Sequence, residues 1–550
     1  MVEFPEWATG AGFPGRHRGW TDYSIAAFER RRQMYADVLR RLGAINAAGL
    51  RETDRLSLDV AHDFFTMLHS APPRDHATGG YGYTPLTQVD GAHLDVAQIL
   101  AQMPARTARD YDDIIARLLA VPRLVDGLIA TLTADLAAGV SLPRIVLRDV
   151  PGQIRALAVA DSTSPLLEPF GRMPRDIAAA ERERLRAAGR AAVRDAAAPA
   201  LGRLLEFVQR RYIPGARETI ALSALAGGAA WYARQIRKHT TTTLAPREIH
   251  ELGLREVRRL RAEMDSLMRG SGFQGSLAEF ARLLRSDARF YFTRADDLVR
   301  AYRDIAKRAD PKLVELFGRL PRLPYGVSPV PSFFERSTTT AYYQPGSPAA
   351  GRAGVFFVNT YDLAARPTWE MEALSIHEAV PGHHLQIALA QELEGVPELR
   401  RQVGYNAFVE GWALYAETLG DAMGFYQDPY ARFGATTYQM WRALRLVLDT
   451  GIHAFGWTRE QAIAYFTENS TKPEHDITVE VDRYIAWPGQ ALGYMLGALK
   501  IRALRDSAQR ALGERFDIRA FHDQILGQGA MPLDLLERRV GEWVAGQRAR

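Results

Sequence analysis

Cysteine is absent from the 550 residues of the chain. That excludes disulfides, thiolate metal sites and a cysteine nucleophile, so any bound metal must be held by His, Asp or Glu. No run of 18 uncharged apolar residues occurs either, and no membrane-spanning helix is expected. The opening stretch, MVEFPEWATGAGFPGRHRGW, lacks the basic-then-apolar order and the small-residue cleavage site of a secretory signal. The expected location is the cytoplasm. Internal repeats, low-complexity tracts and long Gly/Ser linkers are also missing. Charge bias is weak, since 69 Lys and Arg against 64 Asp and Glu leave +5. The arginines sit beside acids in helical stretches such as ERERLRAAGRAAVR, the pattern of solvated helix faces. Neither nucleic acid nor a membrane is an expected partner, and nothing in the sequence speaks to oligomeric state.

What is present is mostly helix. YSIAAFERRRQMYADVLRRLGAI and PREIHELGLREVRRLRAEMDSLMRG carry apolar residues at three- and four-residue spacing, with Gly or Pro near their ends. The pattern runs from about Thr21 to the C-terminus. It predicts a mainly α fold, a single helical body over 1–550 with lobes at 1–330 and 331–550. One region departs from it. Residues 338–363, TTTAYYQPGSPAAGRAGVFFVNTYDL, hold two β-rich runs around Tyr342 and Phe356 and predict a hairpin or small sheet. An exposed strand edge there could hold an extended peptide through main-chain hydrogen bonds.

The sheet directly precedes HEAVPGHH, residues 377–384. In the His-Glu-x-x-His zinc motif the two histidines share one helix face, one turn apart, and the Glu acts as general base. Here Pro381 occupies the second histidine's place, and the next histidines are His383 and His384. On a regular helix His383 would be rotated by about 240°, and His384 would lie roughly 10 Å along the axis. Pro381 cannot donate to the carbonyl of His377, and Gly382 frees the backbone. The helix, capped by Thr368 and carrying Glu370 and Glu372 in its first turn, should open after Glu378, bulge through AVPG and resume at HHLQIALAQELEG. That would swing His383 toward His377. Either His383 or His384 completes the pair, with His383 favoured; the other would contact substrate or support the ligands. The third ligand is sought in YNAFVEGWALYAETLG, where Glu410 can face the histidines from an antiparallel helix. Glu417, two turns on, could orient a ligand. IHELGL (249–254) has Leu254 where a second His belongs and reads as an ordinary helix start.

Candidate transition-state groups lie in EVDRYIAWPGQALGYMLGALKI. Tyr484 could polarise a carbonyl, and Arg483 could fork onto a carboxylate. Asn359 and His384 are candidate substrate contacts, and His453 and His475 possible donors.

HEAVPGHHLQ, EGWALYAE and EVDRYIAWPGQAL, in that order, resemble the domain-of-unknown-function 885 family. The resemblance extends upstream through RTARDYDDIIARL, YIPGARETIALSALAGGAAWY and HTTTTLAPREIHELG. That family is placed among gluzincin-like metallopeptidases. The resemblance implies a two-lobed helical fold with a deep cleft, one zinc ion on His377, His383 and Glu410, and Glu378 as base. Gly382, His383 and Leu385 match the Gly-His-x-Leu that follows the Glu in relatives with the shorter motif; the two-residue expansion is the departure. The expected function is zinc-dependent hydrolysis of amide bonds in short unstructured peptides. The alternatives are hydrolysis of a small non-peptide amide or ester, and a catalytically inactive helical binding protein.

Overall fold

The computed structural model describes residues 2–71, 86–331, 335 and 339–549. Helices make up most of it. The N-terminal segment is tied down by buried Arg117, whose guanidinium donates to Thr9 Oγ1 and to the carbonyls of Arg16 and Gly19. Further along come α1 (Gly228–Thr240), α2 (Pro246–Gly270), α3 (Met371–Glu378), α4 (His383–Gln391), α5 (Asn406–Glu417), α6 (Pro429–Phe455), α7 (Glu474–Ala486) and α8 (Leu492–Leu512). Glycines set two close crossings. A β-carbon on Gly253 of α2 would stand 2.7 Å from Leu446 Cβ of α6, and one on Gly411 of α5 would stand 2.5 Å from Gly497 Cα of α8. IHELGL lies in α2 as an ordinary helix, with His250 hydrogen-bonded to Thr450 of α6.

The sheet has three strands, β1 (Tyr325–Pro329), β2 (Ala341–Gln344) and β3 (Gly354–Val358), in the order β1-β3-β2. The expected pair is β2 and β3, antiparallel, with Tyr342 opposite Phe357 and Tyr343 opposite Phe356. Thr338, the first residue of the β-rich stretch, lies outside the described residues. The sequence reading had no β1. It runs parallel to β3, and its Pro- and Gly-rich surroundings disguise it. Because β3 is central, β2 is left as an edge, and it lies against α3.

Thr368 does not cap the metal-motif helix. A 3₁₀ turn over Thr368–Glu370 precedes α3, and the position before it is Pro367, which offers no side-chain acceptor. Glu370 instead pairs with Lys472 at 2.7 Å, and Glu372 with Arg308 at 2.7 Å.

Candidate metal centre

The helix breaks where the sequence demands. α3 ends at Glu378, Ala379 and Gly382 take non-helical angles (ψ −109° and −127°), and α4 begins at His383. A side chain at 382 cannot fit, because its β-carbon would lie 1.9 Å from the carbonyl oxygen of His377. The Trp412 indole of α5 donates to the carbonyl of Pro381 at 2.8 Å and pins the bulge. The imidazoles of His377 and His383 come together as a result, with ring centres 4.8 Å apart and nearly perpendicular.

Glu410 closes the group from α5. Its Oε2 stands 3.7 Å from His377 Nε2 and 3.4 Å from His383 Nε2. One donor atom from each residue lies within 4.8 Å of the others, and no other such trio occurs among the described residues. These separations are long for hydrogen bonds, and Glu410 Oε2, though buried, has no well-formed partner. They suit a shared cation: donors about 2.0–2.1 Å from a tetrahedral ion stand roughly 3.3 Å apart. With no sulfur and two nitrogens, the donor set fits a borderline ion such as zinc. His377 is the most enclosed of the three. The His383 and Glu410 side chains remain 11% and 20% exposed, which gives the group a solvent-facing side.

Glu417, two turns beyond Glu410, accepts from His377 Nδ1 at 2.8 Å, so Nε2 is the nitrogen presented to a metal. Gln439 donates to the other Glu417 oxygen at 3.3 Å, and Arg442 approaches Glu417 at 3.8 Å. Burial alone would lower His377, but Glu410 and Glu417 outweigh it and raise the imidazole to about 9. A cation would take the place of that proton.

Glu378 follows His377 and faces the same group. Burial pushes its carboxyl up, and the histidines pull it back only in part. Its Oε2 accepts the backbone N–H of Tyr343 at 2.9 Å. In an antiparallel pair alternate residues turn their backbone groups away from the partner strand. Tyr343 does so toward Glu378, and Ala341, two residues back, has the same outward sense.

The other candidates lie elsewhere. His384 is outside the trio: its ring packs against Tyr325 at 4.5 Å, its Nδ1 is 2.8 Å from the Tyr343 hydroxyl, and burial lowers it to about 4. Asn359 is buried and spends its amide on the carbonyls of Glu335 and Thr339 and on the Tyr361 N–H. Tyr484 is buried, its hydroxyl accepting from Trp441 Nε1 and Arg445 Nε, each at 3.1 Å. Arg483 pairs with Glu480 at 3.4 Å and donates to Gln490 Oε1 at 3.1 Å and the Tyr494 hydroxyl at 3.2 Å. His453 is locked between the Leu222 N–H and the Tyr484 carbonyl, whereas His475 is exposed at the start of α7. Sequence reasoning missed Tyr343, Gln439, Arg442 and Trp412. Only Trp412, inside EGWALYAE, carried a signal.

Residues 5–540 match the family described as "Bacterial protein of unknown function (DUF885)". The chain belongs to this family. Among solved structures, this DUF885 protein is similar to a "putative lipoprotein" from Colwellia psychrerythraea, with a TM-score of 0.93 and 27% identity over 98% of this chain and 96% of the other. A "putative lipoprotein of unknown function" from Shewanella oneidensis shares the fold, with a TM-score of 0.72 and 17% identity over 97% and 96% of the two chains. No curated protein matches. Among the described residues, no helix is long and apolar enough to cross a membrane.

Proposed function

We propose that this DUF885 protein is a zinc-dependent hydrolase of amide bonds that acts on short, extended peptides. The observation that carries the reading is the trio His377, His383 and Glu410 with Glu378 beside it. Bound there, a divalent ion would polarise a scissile carbonyl and acidify water. His377, His383 and Glu410 would hold that ion, with Glu417 fixing the His377 tautomer. Glu378 accepts a proton from the attacking water at its carboxylate and delivers it to the leaving nitrogen; its raised pKa suits both tasks. The outward backbone groups of β2 favour peptides over compact amides or esters. The Tyr343 N–H is spent on Glu378, and the Ala341 backbone, which turns the same way, can pair with an extended main chain.

The test joins metal analysis to a peptide-library digest. One equivalent of zinc, and cleavage that vanishes in Glu378→Gln, are expected. Protein that takes up no zinc, or a Glu378→Gln variant as active as the parent, overturns the reading. For location, the descriptions of the two structural relatives favour the cell envelope over the cytoplasm. Fractionation of native cells checks this.

A further inference from the structure

We propose that Arg483 and Arg445 form a subsite for the C-terminal carboxylate of a short peptide, confining cleavage to bonds near a free C-terminus. The inference rests on the hydrolase reading and names the substrate end that the site selects. Four cations gather around Trp441 and Tyr494, namely Arg442, Arg445, Lys472 and Arg483, and Arg442 links them to the metal group through Glu417. Three carboxylates answer them. Glu370 takes Lys472 at 2.7 Å, Glu417 meets Arg442 at 3.8 Å while also serving His377, and Glu480 is shared between Arg445 at 3.0 Å and Arg483 at 3.4 Å. Glu480 thus serves two guanidinium groups at once, and an entering anion would share that positive charge.

The hydrogen bonds point the same way. Arg445 Nη1 and Arg483 Nε are buried nitrogens with no partner, although the Arg445 side chain is only 3% exposed. Arg483, 21% exposed, is the member an entering ligand can reach. Aromatic rings hold both guanidinium groups. Arg445 lies 4.3 Å from the Tyr494 ring centre, and Arg483 lies 5.2 Å from that of Trp487 while donating to the Tyr494 hydroxyl. Planar groups fixed in this way present their edges, the arrangement that recognises a carboxylate.

Placement relative to the metal group follows from one short chain of contacts. Arg483 donates to Gln490, and Gln490 donates to Asn406 Oδ1 at 3.1 Å. Asn406 is four residues before Glu410 on α5, about one helical turn. Arg483 is thereby tied to the helix that carries Glu410, and the proposal sets roughly two or three residues of extended peptide between the guanidinium groups and the scissile bond.

The test is retention of a tripeptide library, as free acids and as C-terminal amides, on the zinc-loaded Glu378→Gln protein, read by mass spectrometry. Free acids should be retained at least ~10-fold over amides, a 1.4 kcal/mol difference, and Arg483→Gln in that background should bring the ratio near unity. Should Arg483→Gln fail to fold, Arg483→Lys, which keeps the charge and loses the fork, should still reduce the ratio. Equal retention of acids and amides, retention of neither, or a ratio indifferent to Arg483 overturns the proposal. Digestion by the unsubstituted protein separates the two readings. Amides cleaved as fast as acids would sink the subsite alone. Acid-selective retention without cleavage of anything would sink the hydrolase and leave the subsite.

Discussion

Gly382 shows how tightly single residues are specified here. With carbonyl oxygens of His377 and Ile376 at 1.9 and 2.4 Å from where a β-carbon would sit, even alanine must push the bulge open. Gly382→Ala should cost about 1–3 kcal/mol of stability and weaken zinc binding in the same protein, as read by thermal unfolding and competitive metal titration. Glu378→Gln separates chemistry from binding: amide hydrolysis should fall by ~10²–10⁴-fold while zinc content stays at the parental level. Glu417→Gln should do the reverse, lowering zinc affinity by about 10–100-fold, because the imidazole N–H then meets a neutral amide oxygen in place of a carboxylate. These residues were legible because they are chemically unusual for their positions: a Pro-Gly pair inside a helical pattern, or two carboxylates seven apart among apolar neighbours. Tyr343 was not. It serves Glu378 through its backbone N–H, which every residue except proline possesses.

At the scale of elements, the α3–bulge–α4 unit was readable from HEAVPGHH alone, since proline and glycine leave a helix few ways to continue. β1 was not, because its pairing with β3 is a tertiary event that overrides the local turn signals of Pro324, Gly326 and Pro329. Arg442 and Gln439 escaped for another reason. α6 is buried along nearly its whole length, so no amphipathic stripe marks the face turned to Glu417. The bulge depends on α5 as much as on its own residues. Trp412→Phe keeps the ring but strands the buried carbonyl of Pro381. It should cost roughly 1–3 kcal/mol, and urea unfolding of the metal-free protein would register the loss.

Across the whole molecule, Asp449 joins three elements, accepting from Tyr232 of α1 at 2.6 Å and from the Gly489 N–H between α7 and α8 at 3.0 Å. Burial raises its carboxyl to about 7, and those two hydrogen bonds only partly offset the rise. The folded state therefore holds a proton that the unfolded chain releases near its ordinary value of 3.8. This contribution is complete below that value and is lost as pH rises through about 7. Urea midpoints should fall between pH 5 and pH 8, and Asp449→Asn should flatten that slope. Zinc bound at the candidate group would add stability by mass action, about 2.7 kcal/mol at a free concentration one hundred times Kd. The melting temperature should climb with added zinc and drop back with a chelator.

The candidate ligands His377, His383 and Glu410, and Glu417 that braces His377, belong to the single stretch running from α3 through α5. The guanidinium wall is built by α6 and α7. Under the two proposals, ion capture and choice of substrate would therefore be inherited on separate parts of the chain. Drift on α7 would then redirect such a protein toward a new ligand while the candidate metal group stays intact.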